Sequence, residues 1–129
     1  MITKIAFVAH PTKDMESMRR FYGEHLGLDQ SAECRFADMW CEFKAPDGKT
    51  VALDTFSAQA APSAPYMALE TDDIEAEVQR LKSFGVTVAR DVWANNNEDG
   101  RENCKMAIVT DPDGNAVMLH QTAAWRLEG

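Results

Sequence analysis

Residues 40–56 read WCEFKAPDGKTVALDTF, and residues 106–121 read MAIVTDPDGNAVMLHQ. Each stretch places a Pro-Asp-Gly triplet, at residues 46–48 or 112–114, between two runs of apolar and β-branched residues. Proline fixes φ and glycine accepts a positive φ, so each triplet predicts the turn of a β-hairpin. The predicted strands are Trp40–Lys44, Thr50–Phe56, Met106–Thr110 and Ala116–Gln121.

A helix is predicted before each hairpin. Asp14 begins the first helical pattern and Gly27 ends it; Asp72 begins the second and Gly85 ends it. Corresponding ends are 58 residues apart, which indicates an internal repeat. The apolar stripes are Met15, Met18, Phe21, Tyr22 and Leu26 in the first helix, and Ile74, Val78, Leu81 and Phe84 in the second.

One further strand precedes each helix, at Lys4–Ala9 and at Tyr66–Thr71. Each half then reads strand, helix, strand, strand, strand, which predicts an α+β fold of two βαβββ modules. We expect residues 1–129 to form one domain, with modules at 1–56 and 65–121 and a linker at 57–64. The polar insert Trp93–Asn103 is predicted to be a loop.

The charge and the cysteines limit the possible partners. A net charge of −8 over 129 residues repels phosphate backbones and anionic lipid, so neither nucleic acid nor a membrane is an expected partner. No apolar run approaches the length of a bilayer span, and the start does not read as a signal peptide. Three cysteines without a Cys-x-x-Cys spacing predict reduced thiols and a cytoplasmic location.

The repeat resembles the vicinal oxygen chelate superfamily, which includes glyoxalase I, extradiol dioxygenases and bleomycin-resistance proteins. The resemblance rests on Phe21-Tyr22 with Leu26-Gly27-Leu28, and on residues 111–115, Asp-Pro-Asp-Gly-Asn, before the last strand. It spans residues 2–121 and implies a cupped mixed sheet of two βαβββ modules. It also implies a homodimer, because members of this superfamily pair modules between chains.

Alternation along the strands separates two faces of the expected sheet. The uniformly apolar face is expected to pack beneath the helices: Ala6, Val8, Val51, Leu53, Met67, Leu69, Val117 and Leu119. The mixed face suits either a small-molecule pocket or an ordinary half-exposed sheet surface. Because the superfamily binds ligands on the concave face, the resemblance favours the pocket, with contacts from Phe7, Ala52, Asp54, Tyr66, Glu70, Met118 and His120.

Enzymes of this superfamily hold a divalent metal with His, Gln or Glu at four positions. Counted from the helix and hairpin motifs, these positions fall on Phe7, Ala52, Tyr66 and Met118. None of these side chains is an imidazole or a carboxylate, the ligands that such metals prefer. The sequence therefore predicts no cofactor and a metal-free binding protein for a small, planar ligand that is neutral or cationic, held by stacking and cation–π attraction.

An enzyme is the alternative. Asp54, Glu70 and His120 share the pocket face and form a shifted set of metal donors, although charged residues near strand ends more often meet water. Without a metal, His120 is the candidate catalytic residue, as a neutral imidazole acting as general base. Either route implies a lyase, isomerase or dioxygenase. Trp40 and Phe43 are both candidates to enter the pocket, and the sequence does not choose between them.

Overall fold

The computed structural model describes residues 1–29, 34–35, 39–56, 64–110, 112 and 114–128. The chain divides into two compact units, which we call the first unit (residues 7–66) and the second unit (residues 1–6 and 67–129). Most of the expected linker, together with Asp111 and Asp113 of the second hairpin motif, lies outside the described residues.

The first unit follows the predicted order of one strand, one helix and three strands. Its strands are β1 (Ile2–Pro11, from Phe7 onward in this unit), β2 (Cys34–Arg35), β3 (Trp40–Lys44) and β4 (Thr50–Asp54). They lie in the order β2-β3-β4-β1, with β1 parallel to β4 and the other pairs antiparallel. The predicted hairpin is confirmed, since β3 and β4 pair from Trp40↔Asp54 to Lys44↔Thr50.

The helix of the first unit begins at the predicted residue and changes form midway. Asp14 caps α1 (Met15–Arg19) by accepting a 3.1 Å hydrogen bond from the Ser17 N–H. The chain continues as a π-helical segment, Arg20–His25, before Gly27 ends it with a φ of 76°. The wider π turn shifts the phase of the apolar stripe. Met15, before this segment, lies in the core as predicted, whereas Phe21 within it and Leu26 after it are exposed, contrary to the prediction.

A disulfide joins Cys34 to Cys41 in the first unit. The two residues are direct partners across the antiparallel strands β2 and β3. The expectation of three reduced thiols is therefore wrong for this pair, because sequence spacing does not reveal which residues face each other across a ladder. Cys41 also belongs to the core beneath α1, with Met15, Phe43 and Leu53.

The second unit repeats the same order of elements. It contains β5 (Tyr66–Thr71), α2 (Ile74–Ser83), β6 (Thr87–Asn96), β7 (Glu102–Thr110), β8 (Ala116–Thr122) and a short 3₁₀ helix (Ala124–Leu127). The strand order is β5-β8-β7-β6, with β5 parallel to β8 and the other two pairs antiparallel. The predicted β7–β8 hairpin is confirmed, although residues 1–6 lie with this unit.

Helix α2 begins one residue later than the repeat predicts. Asp73 caps it, because its carboxylate accepts a 3.1 Å hydrogen bond from the Ala76 N–H. Gly85 has a φ of 81° just beyond the helix end, at the place predicted. The predicted stripe packs on the core of the unit except at its end, where Phe84 occupies the C-cap and is exposed. This core contains Ile74, Val78, Ala107, Val109 and Leu119.

The insert Trp93–Asn103 is a hairpin tip rather than a loop, which corrects the prediction. Strands β6 and β7 continue to pair through Trp93↔Met106, Asn95↔Cys104 and Asn96↔Glu102. Only residues 97–101 form the turn. Three asparagines and an acidic tip resemble loop composition, but an edge strand tolerates polar side chains that face water.

The prediction of which strand residues face the core is correct on some strands and wrong on others. Leu53 packs under α1 and Leu119 under α2, as expected. Val8 on β1 and Met67 on β5 are instead 40% and 47% exposed. The helices pack chiefly on β4 and on β6–β8, so these two positions receive little cover from the helix of their own unit. Among the described residues, no helix has the length and apolar character needed to cross a bilayer.

Candidate functional site

An aromatic cluster lies on one face of the first unit. It consists of Phe7 on β1, Trp40 on β3 and Phe56 just after β4. The rings of Trp40 and Phe56 stack with an interplanar angle of 16° and centroids 6.1 Å apart. Phe7 meets Trp40 edge to face, at 5.2 Å and 78°. Phe7 is buried, whereas Phe56 is 43% exposed, so the stack runs from the interior of the unit to its surface.

Two carboxylates flank the aromatic cluster. Asp54 is fully buried and accepts a 2.9 Å hydrogen bond from the Tyr66 hydroxyl. Glu42 accepts a 3.1 Å hydrogen bond from the Trp40 indole N–H. Both of these donors are neutral groups. The cluster therefore combines π faces with carboxylates, as sites for planar cations do.

The strand register explains why these side chains share a face. Trp40 lies opposite Asp54, and Glu42 lies opposite the buried Ala52. Directly paired residues point to the same side of a sheet. Phe43 is one residue out of phase with Trp40 and packs under α1. The structure thus settles the choice that the sequence left open: Trp40 joins the predicted pocket face and Phe43 joins the core.

A second polar cluster lies in the second unit. Glu70 on β5 and His120 on β8 are direct partners in the parallel ladder, and both are buried. Oε1 of Glu70 lies 2.7 Å from Nδ1 of His120. Oε2 of Glu70 accepts a 2.7 Å hydrogen bond from the Thr122 N–H. Both carboxylate oxygens of Glu70 are thereby fixed.

The Glu70–His120 contact sets the charge of both groups. Burial opposes the ionised form of Glu70, but hydrogen bonds from His120 and Thr122 outweigh it and lower the pKa of Glu70. Burial likewise opposes the imidazolium, but hydrogen bonds to Cys104 and Glu70 raise the pKa of His120 to about 9. His120 is therefore protonated at neutral pH. The expectation of a neutral imidazole at this position is wrong, because the sequence did not show the buried carboxylate opposite it.

Several residues of these clusters were not among the sequence-based predictions. The sequence offers Trp40 as a candidate to enter the pocket and assigns no ligand role to Phe56, Glu42 or Cys104. Alternation along the strands predicts which of these residues share a face with their neighbours. Deciding which face is the pocket face for Trp40, Glu42 and Cys104 requires the register of β3 and β7. Cys104 lies on the same face of the sheet as His120, because Met106, two residues further along β7, is the direct partner of His120.

The structure distributes the predicted ligand contacts between the two units. Phe7, Ala52, Asp54 and Tyr66 belong to the first unit, and the other three, Glu70, Met118 and His120, belong to the second. All seven are buried or half-buried. Whether they contact a ligand stays a prediction. The proposed contacts that form direct pairs with one another are Asp54 with Tyr66 and Glu70 with His120.

The four positions at which the resemblance predicts metal ligands carry side chains that do not fit a metal. Phe7 offers only a ring, Ala52 a methyl group and Met118 a thioether, which are poor partners for a hard or borderline divalent cation. The phenol of Tyr66 is neutral and donates to Asp54. In the part of the chain that the structure describes, no group of three or more His, Cys, Asp and Glu side chains is arranged to hold a metal ion. No metal-dependent step is therefore derived for this chain.

The paired βαβββ units and the half-buried cluster on one sheet face define a class of small α+β proteins built on a mixed sheet. The family to which the chain belongs is the Glyoxalase/Bleomycin resistance protein/Dioxygenase superfamily, whose family model matches residues 4–119. The resemblance inferred from the hairpin and helix motifs is thereby confirmed, and so is the fold class.

Solved structures support the assignment of the fold. A superfamily member from Vibrio splendidus 12B01 is 18% identical, with a TM-score of 0.70, over 94% of this chain and 100% of that one. Methylmalonyl-CoA epimerase from Mycobacterium tuberculosis is 17% identical, with a TM-score of 0.70, over 99% and 93% of the two chains. At these identities the likeness shows the fold alone. No curated protein matches the sequence of this chain.

Proposed function

We propose that this protein binds a small, planar ligand, neutral or cationic, without a metal, at the aromatic cluster of the first unit. The observation that carries the proposal is the half-buried Trp40, which stacks on Phe56 while its indole N–H is held by the Glu42 carboxylate. A fixed indole offers a π face at low entropic cost, and a neighbouring carboxylate favours a positively charged ligand.

The donor chemistry supports binding rather than metal catalysis. All four positions that would supply metal ligands carry side chains unsuited to that task, and the Tyr66 phenol is committed to Asp54. The superfamily includes proteins named for bleomycin resistance, so a binding role is compatible with the family. The buried Asp54 adds negative charge beside the rings.

Titration with a matched pair of planar dyes tests this proposal. Proflavine carries a positive charge, and acridone has a similar tricyclic shape without one. We expect tighter binding of proflavine, and a loss of about tenfold in affinity in Trp40→Ala, from stacking worth about 1–2 kcal/mol. Asp54→Asn should reduce the preference for proflavine over acridone, because it removes the charge and keeps the shape.

Trp93→Ala is the matched control for this titration. Its indole lies in the second unit under the Arg90 guanidinium, 3.7 Å from the ring centroid, outside the proposed site. Wild-type affinity in the Trp40→Ala variant would contradict the proposal. So would one zinc or iron ion bound per chain after purification, because the proposal assigns no metal to this site.

A His-based enzyme is the second candidate, favoured by the 2.7 Å contact between Glu70 and His120. A protonated His120 would act first as a proton donor rather than as a base. Turnover of a test substrate that disappears in His120→Ala would favour this candidate. Unchanged turnover would exclude a role for His120.

A homodimer and a cytoplasmic location belong to the same proposal. The exposed apolar side chains Val8 and Met67 are surfaces that a second copy would cover. Sedimentation equilibrium should give twice the chain mass, and a monomer at high concentration would contradict it. The disulfide between Cys34 and Cys41 removes one of the two reasons given for a cytoplasmic location.

A further inference from the structure

The disulfide between Cys34 and Cys41 is attached to the strand that carries the aromatic cluster. Cys41 lies between Trp40 and Glu42 on β3, and these two side chains share a 3.1 Å hydrogen bond. Successive residues of a strand point to opposite faces. Cys41 therefore points to the core, where it packs with Met15, and its two neighbours point to the proposed ligand site. The disulfide thus acts on that site through the backbone of β3.

The strand at the other end of the disulfide is very short. It is β2, which consists of Cys34 and Arg35 and is the outermost described strand of the first unit. Its pairs with β3 are Cys34↔Cys41 and Arg35↔Trp40. Two residue pairs supply few hydrogen bonds, so such an edge opens readily unless something else holds it. We therefore expect the disulfide to be the main link that keeps β2 beside Trp40.

The disulfide is placed to act locally rather than to stabilise the whole unit. It joins residues that are seven apart in the sequence, and the stabilisation from a cross-link increases with the length of the loop that it closes. The unit also has a core of its own, which contains Met15, Phe43 and Leu53 as well as Cys41. We therefore expect the unit to stay folded when the bond is opened, with the change confined to β2 and β3.

The two cysteines differ in exposure. Cys41 is fully buried, whereas Cys34 is half-buried at the edge of the unit. A disulfide is opened by a thiolate that attacks the sulfur it can reach. Attack is therefore expected at Cys34, with Cys41 released as a thiol inside the core. A small dithiol can open this bond in the folded protein.

We propose that the Cys34–Cys41 disulfide is a reversible redox switch that holds β2 against β3 and thereby fixes Trp40. Its effect on ligand affinity rests on the binding function proposed above. In the oxidised protein the Trp40 backbone is held between Arg35 and Asp54, its partners on the two neighbouring strands. In the reduced protein β2 leaves, and β3 becomes an edge strand. The ligand must then immobilise the indole, which weakens binding.

The reduction uses a dithiol and balances in atoms and electrons. One thiolate of the dithiol attacks Sγ of Cys34, so a mixed disulfide forms and the bond to Cys41 breaks. The Cys41 thiolate takes up a proton. The second thiolate of the dithiol attacks the sulfur of the first, closes a cyclic disulfide and releases Cys34, which also takes up a proton. Two electrons and two protons pass from the dithiol to the protein, and the cyclic disulfide of the reagent supports the reverse reaction.

Dithiothreitol is the reductant for the experiment, and proflavine is the ligand probe. The native protein is compared in its oxidised and reduced states by proflavine affinity and by hydrogen–deuterium exchange of β3 (Trp40–Lys44). Reduction should weaken binding by about fivefold, the factor expected when a ligand must immobilise one more side chain. It should also speed amide exchange in β3 by about tenfold or more. Reoxidation should restore both values.

Cys34→Ser is the matched variant, because it removes the disulfide and keeps the other two cysteines, Cys41 and Cys104. It should show the affinity and the exchange of the reduced wild type, and dithiothreitol should change neither. A response of this variant to dithiothreitol would assign the effect to another thiol and overturn the proposal. The cyclic oxidised form of dithiothreitol is the control compound and should leave the oxidised wild type unchanged.

The exchange measurement needs no ligand, so it separates this proposal from the binding function. Failure of proflavine to bind in either redox state contradicts the binding function, and the exchange of β3 then decides the switch. Equal exchange in the two states overturns the switch, as does equal affinity where proflavine binds. A disulfide that dithiothreitol opens only in urea also overturns it. If Cys34→Ser does not fold, the two redox states of the wild type decide.

Discussion

The Tyr66 hydroxyl donates a 2.9 Å hydrogen bond to Oδ2 of Asp54, a carboxylate with no exposed surface. The two residues lie on either side of the segment that joins β4 to β5. A buried carboxylate is costly unless donors compensate it. The bond therefore gives Tyr66 a structural role beside the aromatic cluster, at a position where the resemblance predicts a metal ligand.

Tyr66→Phe should lower the free energy of unfolding by about 1–2 kcal/mol, because it removes a donor from a buried acceptor. Urea denaturation followed by circular dichroism measures the change. Tyr22→Phe is the control: this half-buried ring packs near Phe43, and its hydroxyl has no hydrogen bond in the described part of the chain. Equal stability of the Tyr66→Phe variant and the wild type would show that Asp54 does not depend on this donor.

The stability of the protein should decrease as the pH rises from about 6.5 to about 9. The pKa of His120 is raised from 6.5 to about 9 on folding, so the folded state binds the proton more tightly. The resulting stabilisation is complete below pH 6.5, declines above it and is lost above pH 9, with a magnitude on the order of 3 kcal/mol. Urea midpoints measured across this range should fall in the wild type.

The His120→Gln variant should show a flatter dependence over the same pH range. Glu70 acts in the opposite direction, because its pKa is lowered from 4.5 on folding. Its stabilisation is present above pH 4.5 and is lost as the pH falls through the lowered value. A wild-type stability that does not change between pH 6.5 and pH 9 would rule out the proposed pairing of His120.

Asp73→Ala should cost about 1 kcal/mol, the usual value of an N-cap side chain. Asp72→Ala should cost almost nothing, because within the described part of the chain its exposed carboxylate meets only the terminal amine, at 3.8 Å. The melting temperatures of the two variants show which residue caps α2: Asp73, as observed, or Asp72, as the 58-residue repeat predicts. A larger loss in the Asp72 variant would mean that the repeat locates the helix start correctly.

Leu119→Ala should destabilise the second unit by about 3 kcal/mol, since it opens a cavity beneath α2. Met67→Ala should change stability by less than about 0.5 kcal/mol in the monomer, because its side chain is largely exposed. Denaturation at low protein concentration compares the two. A large loss in Met67→Ala that grows with protein concentration would place this residue in a contact between copies.

The sequence predicted most of the fold correctly, for a local reason. Turn residues, helix-ending glycines and strand patterns act over a few residues, so the hairpins and the ends at Gly27 and Gly85 could be read directly. The predictions that failed concern which face of a helix a residue occupies and which residues pair across strands. The π-helical segment turns Phe21 and Leu26 outward, and the long β6–β7 hairpin pairs residues that look like a loop.

The sequence by itself determined the repeated βαβββ order, the family and the absence of suitable metal donors at the four expected positions, because each depends on residue type and spacing along the chain. Only the tertiary structure decided which side chains meet. The register of β3 with β4 places Trp40 beside Phe7 and sends Phe43 to the core. The pairing of β5 with β8 places Glu70 directly opposite His120, and the pairing of β7 with β8 places Cys104 on the same face. These contacts link residues far apart along the chain, and a shift of one residue in any ladder would place the same side chains on opposite faces.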